Sequence, residues 1–198
     1  MAANTYLAPE ERAALESVRV GIAGAGGLGS NCAMHLVRSG VKHITIADFD
    51  VVNESNLNRQ FFFHDQIGQK KVKAIKANLL RIEPDADIRA VDIRLDASSA
   101  REVFADCGIV VEAFDAVDAK VMLVSAFASS GKKLVTASGL AGWGRSNAMR
   151  VRKMGNIVAI GDGETSVGDG AAPVSPRVGI AAAMEANAVV SLLLGCEP

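Results

Sequence analysis

The sequence lacks several features that would define a class of protein at once. Its 198 residues contain only three cysteines, which are dispersed and form no C-x-x-C pair. A disulfide framework or a cysteine zinc site is therefore not expected, and a reducing cytoplasm is the default compartment. No apolar run approaches the length of a membrane span, and the polar, acidic N-terminus does not resemble a signal peptide. We expect a cytoplasmic protein without zinc and without a membrane segment.

The sequence also has no excess of positive or negative charge. Lysine and arginine number 21 and aspartate and glutamate 22, so the net charge of −1 gives no electrostatic argument for nucleic acid or a membrane as partner. Aromatic residues make up only 5% of the chain, whereas 49% of the residues are hydrophobic. This composition is typical of a globular protein, and the length suits one α/β domain over residues 1–198.

Strand-like and helix-like segments alternate up to residue 137. This alternation predicts an α/β fold with a doubly wound, mostly parallel, Rossmann-like sheet, preceded by a helix within residues 1–17. Beyond residue 137, Met154-Gly155 separates two strand-like runs and predicts an antiparallel hairpin at the C-terminal edge of the sheet. Residues 161–176, rich in glycine, proline and acids, predict a long loop. A largely apolar helix over 177–194 is expected to close the chain.

A glycine-rich turn follows the first predicted strand. Gly24, Gly26 and Gly29 form G-x-G-x-x-G between a strand and a helix, and Asp48 ends the next strand. Small residues let phosphate groups approach the backbone at a helix N-terminus, and a carboxylate in that position accepts hydrogen bonds from ribose hydroxyls. The pattern indicates a nucleotide site. The alternatives are a merely structural turn and a solvated acid at the end of a strand.

Amide and guanidinium groups follow Asp48 in the sequence. Asn56 and Arg59 lie in a polar segment that the strand order places over the carboxyl ends of the strands, where ligands bind in open α/β sheets. A guanidinium group pairs well with phosphate oxygens, and an amide can donate to the same group. The segment therefore indicates phosphate binding, with an ordinary surface arginine as the alternative for Arg59.

Further charged groups follow the second and fourth predicted strands. Lys70, Lys71 and Lys73 open a helix, where cations oppose the macrodipole, so an anionic partner explains them better than helix stability does. The alternative is a solvated basic face. Asp115 is placed to hold Mg²⁺ directly or through water, to cap the following helix, or both. Together these groups suit phosphoryl or nucleotidyl transfer better than hydride transfer.

These motifs resemble the ThiF/MoeB family, which is related to ubiquitin-activating enzymes. The resemblance covers residues 18–195 and is carried by GxGGLGS, DFDxVxxSNLNRQ, IGxxK and the strand before Asp115. The length and the closing segment APVSPRVGIAAAMEANAVVSLLLG are most similar to the short form of ThiF, a thiamine-biosynthesis adenylyltransferase. The resemblance implies ATP and Mg²⁺ as cofactors and a small ubiquitin-fold sulfur carrier, similar to ThiS, as partner. The C-terminal Gly-Gly carboxylate of the carrier would become an acyl-adenylate, with release of pyrophosphate.

The resemblance also implies roles for individual residues. It assigns catalysis to Arg59, Lys71 and Asp115, with Asp115 associated with Mg²⁺. Family members often form homodimers in which the partner subunit contributes an N-terminal arginine, and Arg12 is a candidate for that residue. The residues implied in nucleotide binding are Gly24, Gly26, Gly27, Asp48, Ser55, Asn56, Leu57, Asn58, Arg59 and Lys71.

The chain departs from the family pattern in three ways. It lacks the paired C-x-x-C motifs that bind zinc in longer members, so zinc is not expected. It has no cysteine in residues 161–176, so we expect a mobile carrier-binding loop there and no covalent enzyme–carrier intermediate. Ala116 and Lys120 stand where asparagine and arginine are usual in the family.

Several alternative functions stay open. Within the family, the substrate could be a molybdopterin-type carrier or a tRNA-linked carboxylate. The chain could also be a non-catalytic nucleotide-binding partner subunit, although such partners commonly lose the phosphate-binding residues that are present here. An NAD-dependent oxidoreductase would account for the glycine turn and Asp48, but it leaves SNLNRQ and the lysines unexplained.

Overall fold

The structure is a computed structural model that describes residues 6–166 and 170–198. Within these residues, seven strands form one sheet and six α-helices pack on it. The strands are β1 (Val20–Ala23), β2 (His43–Asp48), β3 (Asp87–Asp92), β4 (Ile109–Glu112), β5 (Lys133–Ala137), β6 (Arg150–Met154) and β7 (Ile157–Gly161). The helices are α1 (Pro9–Ser17), α2 (Gly27–Ser39), α3 (Lys71–Ile82), α4 (Ala97–Val103), α5 (Val117–Phe127) and α6 (Ser175–Leu193).

The strand order is β3-β2-β1-β4-β5-β7-β6. Neighbouring strands run parallel except for β6 and β7, which form an antiparallel pair at the edge of the sheet. The predicted Rossmann-like sheet with an antiparallel C-terminal hairpin is thereby confirmed. The strand order reverses between β1 and β4, which is the point where open α/β sheets bind their ligands.

Two hydrophobic cores cover the two faces of the sheet. On one face, apolar side chains of α2, α3 and α6 pack against the strands, and on the other face those of α4 and α5 do so. All four residues of β1 are buried, as expected for a central parallel strand that is covered on both sides. No helix in the described part of the chain is both long enough and apolar enough to cross a membrane.

Two helices begin at other residues than the sequence predicts. Asp115 does not cap α5, because Ala116 occupies the N-cap position with an extended backbone. Helix α6 begins at Ser175 with a proline in its first turn, a position where the missing N–H of proline costs nothing. The connection expected over 161–176 therefore ends before Ser175, and residues 167–169 of it lie outside the described part of the chain.

One carboxyl group lies inside the protein without a hydrogen-bond partner. Glu185 on α6 is fully buried, and neither carboxyl oxygen has a partner among the described residues. Burial raises the pKa of Glu185 well above its ordinary value of 4.5, Lys120 opposes this shift and Glu112 adds to it. The folded state therefore holds the proton more tightly than the unfolded state. The free energy of unfolding consequently falls as the pH rises from the unfolded pKa towards the folded one.

Glu185→Gln is expected to remove this loss of stability, because glutamine has nearly the same shape and does not ionise. Between the unfolded and the folded pKa of Glu185, the free energy of unfolding of the variant should rise relative to that of the wild type. The difference should be about 1 kcal/mol for each pH unit above the unfolded pKa. Urea unfolding between pH 5 and pH 8 measures the difference, with the exposed Glu102→Gln as matched control. Parallel pH profiles for wild type and Glu185→Gln would contradict the assignment.

Candidate functional site

The candidate site lies where three central strands end. Ala23 of β1 is in register with Ala47 of β2 and Glu112 of β4, so these strands end in one row. The Gly24 N–H donates to the Ala47 carbonyl oxygen at 2.8 Å, which ties the glycine turn to β2. The glycine turn, the acid at the end of β2 and the segment after β4 therefore leave the sheet side by side.

The glycine turn is packed too closely for side chains at two positions. Gly24 has a φ of 102°, and a Cβ atom there would lie 2.9 Å from the Ala113 carbonyl oxygen. A Cβ atom on Gly29 would lie 1.9 Å from the Gly24 carbonyl oxygen. The turn thus requires glycine at both positions, and it brings the start of α2 against the segment after β4.

The N-terminus of α2 faces this turn without a side-chain cap. Gly26 is the N-cap residue and has no side chain to satisfy the first N–H groups of the helix. A Cβ atom on Gly27 would meet Val178 at 2.9 Å and the Arg59 side chain at 3.5 Å. The first turn of α2 therefore presents backbone donors next to Arg59, and such donors at a helix N-terminus attract phosphate groups.

Arg59 is held beside α2 through its backbone. Asn31 of α2 donates from its Nδ2 atom to the Arg59 carbonyl oxygen at 2.8 Å and to the Gly27 carbonyl oxygen at 2.7 Å. The Arg59 guanidinium donates to the Ser55 carbonyl oxygen and to Oδ1 of Asn58. The aliphatic part of the Arg59 side chain thus lies beside Gly27, while the guanidinium is held by the short segment that precedes it.

The segment 55–58 begins in a 3₁₀ turn, Glu54–Asn56. Asn56 is half-buried and accepts the Asn53 N–H on Oδ1, which leaves its NH₂ group as the donor. Leu57 is partly buried and packs against the core below the site, whereas Ser55 and Asn58 are exposed. The leucine side chain therefore anchors the segment, and the polar residues around it face outward.

Asp48 connects the glycine turn to the next loop. Its Oδ2 atom accepts the Ala25 N–H at 2.7 Å, and its Oδ1 atom accepts the Asp50 N–H at 2.8 Å. Each carboxylate oxygen can accept a second hydrogen bond. The carboxylate can therefore receive ribose hydroxyls while it keeps both loops in place.

The three lysines near the start of α3 differ in their surroundings. Lys71 is only 6% exposed, and its Nζ atom lies 2.9 Å from Oδ2 of Asp50. Lys70 pairs with Asp92 in a more exposed position, and Lys73 is exposed. Only Lys71 is thus both buried and tied to the loop that follows Asp48.

Asp115 is an exposed carboxylate on the segment after β4. It makes no hydrogen bond and no ion pair within residues 6–166 and 170–198. In the same residues no group of three or more histidine, cysteine, aspartate or glutamate side chains could hold a metal ion. A single carboxylate suits Mg²⁺ that arrives with a nucleotide, since phosphates and water then supply most of the ligands. Asp115 therefore fits that role.

A buried ion pair supports the segment that leads to Asp115. Glu112 is fully buried, and Lys120 of α5 donates to both of its carboxylate oxygens, at 3.2 and 2.9 Å. The Phe114 N–H and the Thr136 hydroxyl donate to the same carboxylate. The ammonium of Lys120 thus neutralises a charge under the site, which explains a cation at this position.

The sequence interpretation missed three groups near the site. Asp50 and Glu112 are the partners of Lys71 and Lys120. Gln60 is buried beside Gly26, and its Oε1 atom has no hydrogen-bond partner among the described residues. Glu112 ends an apolar run, and Asp50 and Gln60 stand within the motif DFDxVxxSNLNRQ, but neither signal indicates which group each residue contacts. Arg12, the candidate for an intersubunit arginine, lies on α1 and donates to the Leu7 carbonyl oxygen.

A second polar cluster lies at the start of α6. Arg177 and Asp162 form a buried ion pair, and Asp162 also accepts the backbone N–H groups of Glu164 and Thr165. Arg177 donates to the Gly144 carbonyl oxygen at 2.6 Å as well. The pair therefore ties the beginning of the connection after β7 to α6 and to the segment before β6.

A cavity of about 350 Å³ lies next to this cluster. Most of the residues around it are small, and a tryptophan and two arginines complete the wall. The lining residues are Ala141, Gly142, Trp143, Arg145, Thr165, Gly170, Ala171 and Arg177.

This chain is similar to proteins of one family. The family model that matches is described as ThiF family and covers residues 2–198. An adenylyltransferase and sulfurtransferase UBA4 from Eremothecium gossypii is 36% identical over 64% of this chain and 29% of its own length. A SAMP-activating enzyme E1 from Haloferax volcanii is 36% identical over 58% and 43%. A molybdopterin-synthase adenylyltransferase from Salmonella typhimurium is 36% identical over 58% and 46%. The chain thus spans less than half the length of these relatives.

Solved structures share the fold. The tRNA N6-threonylcarbamoyladenosine dehydratase TcdA from E. coli superposes with a TM-score of 0.85 at 18% identity, over 94% of this chain and 90% of TcdA. E. coli MccB, solved with ATP, gives a TM-score of 0.77 at 21% identity, over 95% of this chain and 59% of MccB. The chain belongs to the ThiF family, as the sequence motifs indicate.

Proposed function

We propose that this member of the ThiF family is an adenylyltransferase. Its substrates are Mg·ATP and the C-terminal glycine carboxylate of a small ubiquitin-fold sulfur carrier, similar to ThiS, in the thiazole branch of thiamine biosynthesis. The observation that carries the proposal is the clustering of groups suited to phosphate binding at the carboxyl ends of the central strands. The uncapped N-terminus of α2 lies against Arg59, and the Asp48 carboxylate links the same turn to the loop that pairs with Lys71.

The proposed reaction needs no nucleophile from the protein. A carboxylate oxygen of the carrier attacks the α-phosphorus of ATP, and the bond from that phosphorus to the bridging oxygen of the β-phosphate breaks. The electron pair leaves with pyrophosphate, and the carrier becomes an acyl-adenylate. Because a terminal carboxylate is already ionised at neutral pH, no general base is required. The protein contributes positioning and neutralisation of charge.

Each site residue has a role in this scheme. Asp48 receives the ribose hydroxyls, and the N–H groups at the start of α2 face the phosphates. Arg59 and Lys71 neutralise the negative charge that moves onto the leaving pyrophosphate, and Asn56 adds a neutral donor. Asp115 would hold Mg²⁺ when the metal is bound with ATP, and the metal would supply further neutralisation of the phosphate charge.

Two observations favour this scheme over its alternatives. An NAD-dependent oxidoreductase leaves the buried Lys71 and the Arg59 beside the glycine turn unexplained, because hydride transfer develops no charge on the phosphates. A non-catalytic partner subunit would not need Asp115, Arg59 and Lys71 together. The named relatives activate several carriers, so a molybdopterin-type carrier is the second candidate substrate. The proposal includes a cytoplasmic homodimer, with Arg12 as the candidate intersubunit arginine.

We place carrier docking at the outer edge of β6 and the connection that follows β7. All five residues of β6 are exposed, three of them are basic, and no described strand pairs with the outer edge. Trp143 is 75% exposed and Met154 57%. Tryptophan, methionine and arginine are the residue types enriched in protein interfaces. Two copies of β6 would set like charges opposite each other, so an acidic carrier fits this edge better than a second copy does.

The cavity beside this edge would receive the tail of the carrier. A Gly-Gly terminus has no side chains, so a cavity lined in part by the small residues Ala141, Gly142, Gly170 and Ala171 suits it. Asp162 and Arg177 keep one wall of the cavity in place, so the described part of the connection is anchored at its start.

The class of reaction is tested by ATP–pyrophosphate exchange with purified carriers that end in Gly-Gly. Exchange is expected only with an intact tail, and a carrier lacking both glycines should give none. Arg59→Ala should reduce the rate by about 100-fold, the usual effect of removing a donor to developing charge. Arg101→Ala, on the exposed side of α4, serves as the control. Undiminished exchange in Arg59→Ala would contradict the assigned role.

Docking is tested by the double variant Trp143→Ala, Arg150→Glu. It should raise the KM for the carrier about tenfold or more, because it removes an exposed aromatic contact and reverses a charge. The turnover rate at saturating carrier and the Kd for ATP should be unchanged. Arg101→Glu, which reverses a charge on the exposed side of α4, is the control for Arg150→Glu. An unchanged KM for the carrier in the double variant would place docking elsewhere.

A further inference from the structure

Lys71 has an anionic partner within the protein. Its ammonium lies 2.9 Å from the Asp50 carboxylate, and its backbone N–H donates to the Asp50 carbonyl oxygen at 3.0 Å. The Asp50 N–H in turn donates to Asp48. Asp50 therefore stands between the residue proposed to hold the ribose and the residue proposed to hold phosphate.

The two partners of this ion pair differ in exposure. The Lys71 side chain is 8% exposed, and that of Asp50 is 47% exposed. A buried ammonium needs a counter-charge, since an unpaired charge inside a protein is costly. Here the counter-charge lies on the solvent side, so a ligand that reaches Lys71 from solvent meets Asp50 first. The adjacent pair Lys70–Asp92 differs, because both of its side chains are 40% exposed.

We propose that Asp50 is a positioning residue that holds the Lys71 ammonium when no nucleotide is bound and yields it to the phosphates of the nucleotide. The proposal rests on the proposed function. An ammonium has three N–H donors, so Lys71 can transfer from one anion to another while it stays in place. Triphosphate binding must therefore displace or share this contact and overcome the negative charge of Asp50. Asp50 consequently weakens the binding of ATP and eases the departure of pyrophosphate.

The inference predicts that Asp50→Asn binds ATP more tightly than the wild type. The asparagine oxygen can still accept a hydrogen bond from Lys71, but it no longer competes as an anion. The Kd for ATP should fall about fivefold, and that for adenosine, which carries no phosphate, should change less than about twofold. Calorimetry or equilibrium dialysis with ATP and adenosine measures both values without any carrier.

Four further variants isolate the effect. Asp92→Asn removes the same charge from the partner of Lys70 and should leave the Kd for ATP nearly unchanged. Asp50→Glu keeps the charge and should behave as the wild type does. In a Lys71→Met background, Asp50→Asn should no longer lower the Kd for ATP, because Asp50 then has no ammonium to bind. Asp50→Ser is the second neutral variant if the asparagine variant does not fold.

Different results would overturn different statements. If the wild type binds no ATP, the proposed function fails. If the wild type binds ATP but Asp50→Asn binds it equally or more weakly, the inference about Asp50 fails and the proposed function stands. If Asp50→Asn tightens ATP binding equally with and without Lys71, Asp50 acts by simple repulsion of the phosphates, and its role through Lys71 is refuted.

Discussion

The Asp48 carboxylate is the contact on which the geometry of the site depends. One oxygen accepts the N–H of Ala25 in the glycine turn, and the other accepts that of Asp50 in the loop after β2. Both loops leave neighbouring parallel strands, β1 and β2, and β1 borders the point where the strand order reverses. A single side chain therefore fixes the helix that faces the phosphates relative to the loop that holds Lys71, and its remaining lone pairs stay available to a ribose.

The charged groups of the candidate site differ in how deeply they are buried and in whether they form an ion pair. Glu112 and Lys120 are paired inside the protein and support the segment after β4, whereas Asp115, at the end of this segment, is exposed and unpaired in the described residues. Lys71 lies between these extremes, buried but held by a carboxylate that faces solvent. This gradation suits a site that must neutralise a triphosphate and then release pyrophosphate. Groups that a ligand must engage stay accessible, and groups that only support the loops do not.

Local patterns in the sequence predict the fold, and they predict which strand end or loop carries most of the candidate site residues. The alternation of strands and helices, the glycine turn and the Met154-Gly155 hairpin all depend on short-range signals. The pairs Lys120–Glu112 and Arg177–Asp162 could not be predicted, because nothing in the local sequence shows that residues on different elements meet in the core. The start of α5 differs from the expected cap at Asp115 by one residue, because Ala116 is the N-cap residue and the helix begins at Val117. The Glu112 carboxylate accepts the Phe114 N–H in the segment between β4 and this helix.

The mass of the carrier after reaction tests the central claim most directly. A purified carrier ending in Gly-Gly is mixed with the protein and Mg·ATP, and its intact mass is recorded after rapid acid quench. The account predicts a gain of one AMP on the C-terminal glycine and an equal amount of pyrophosphate in solution. A carrier that gains a phosphate, or ATP cleaved to ADP with no change in the carrier, would contradict attack at the α-phosphorus.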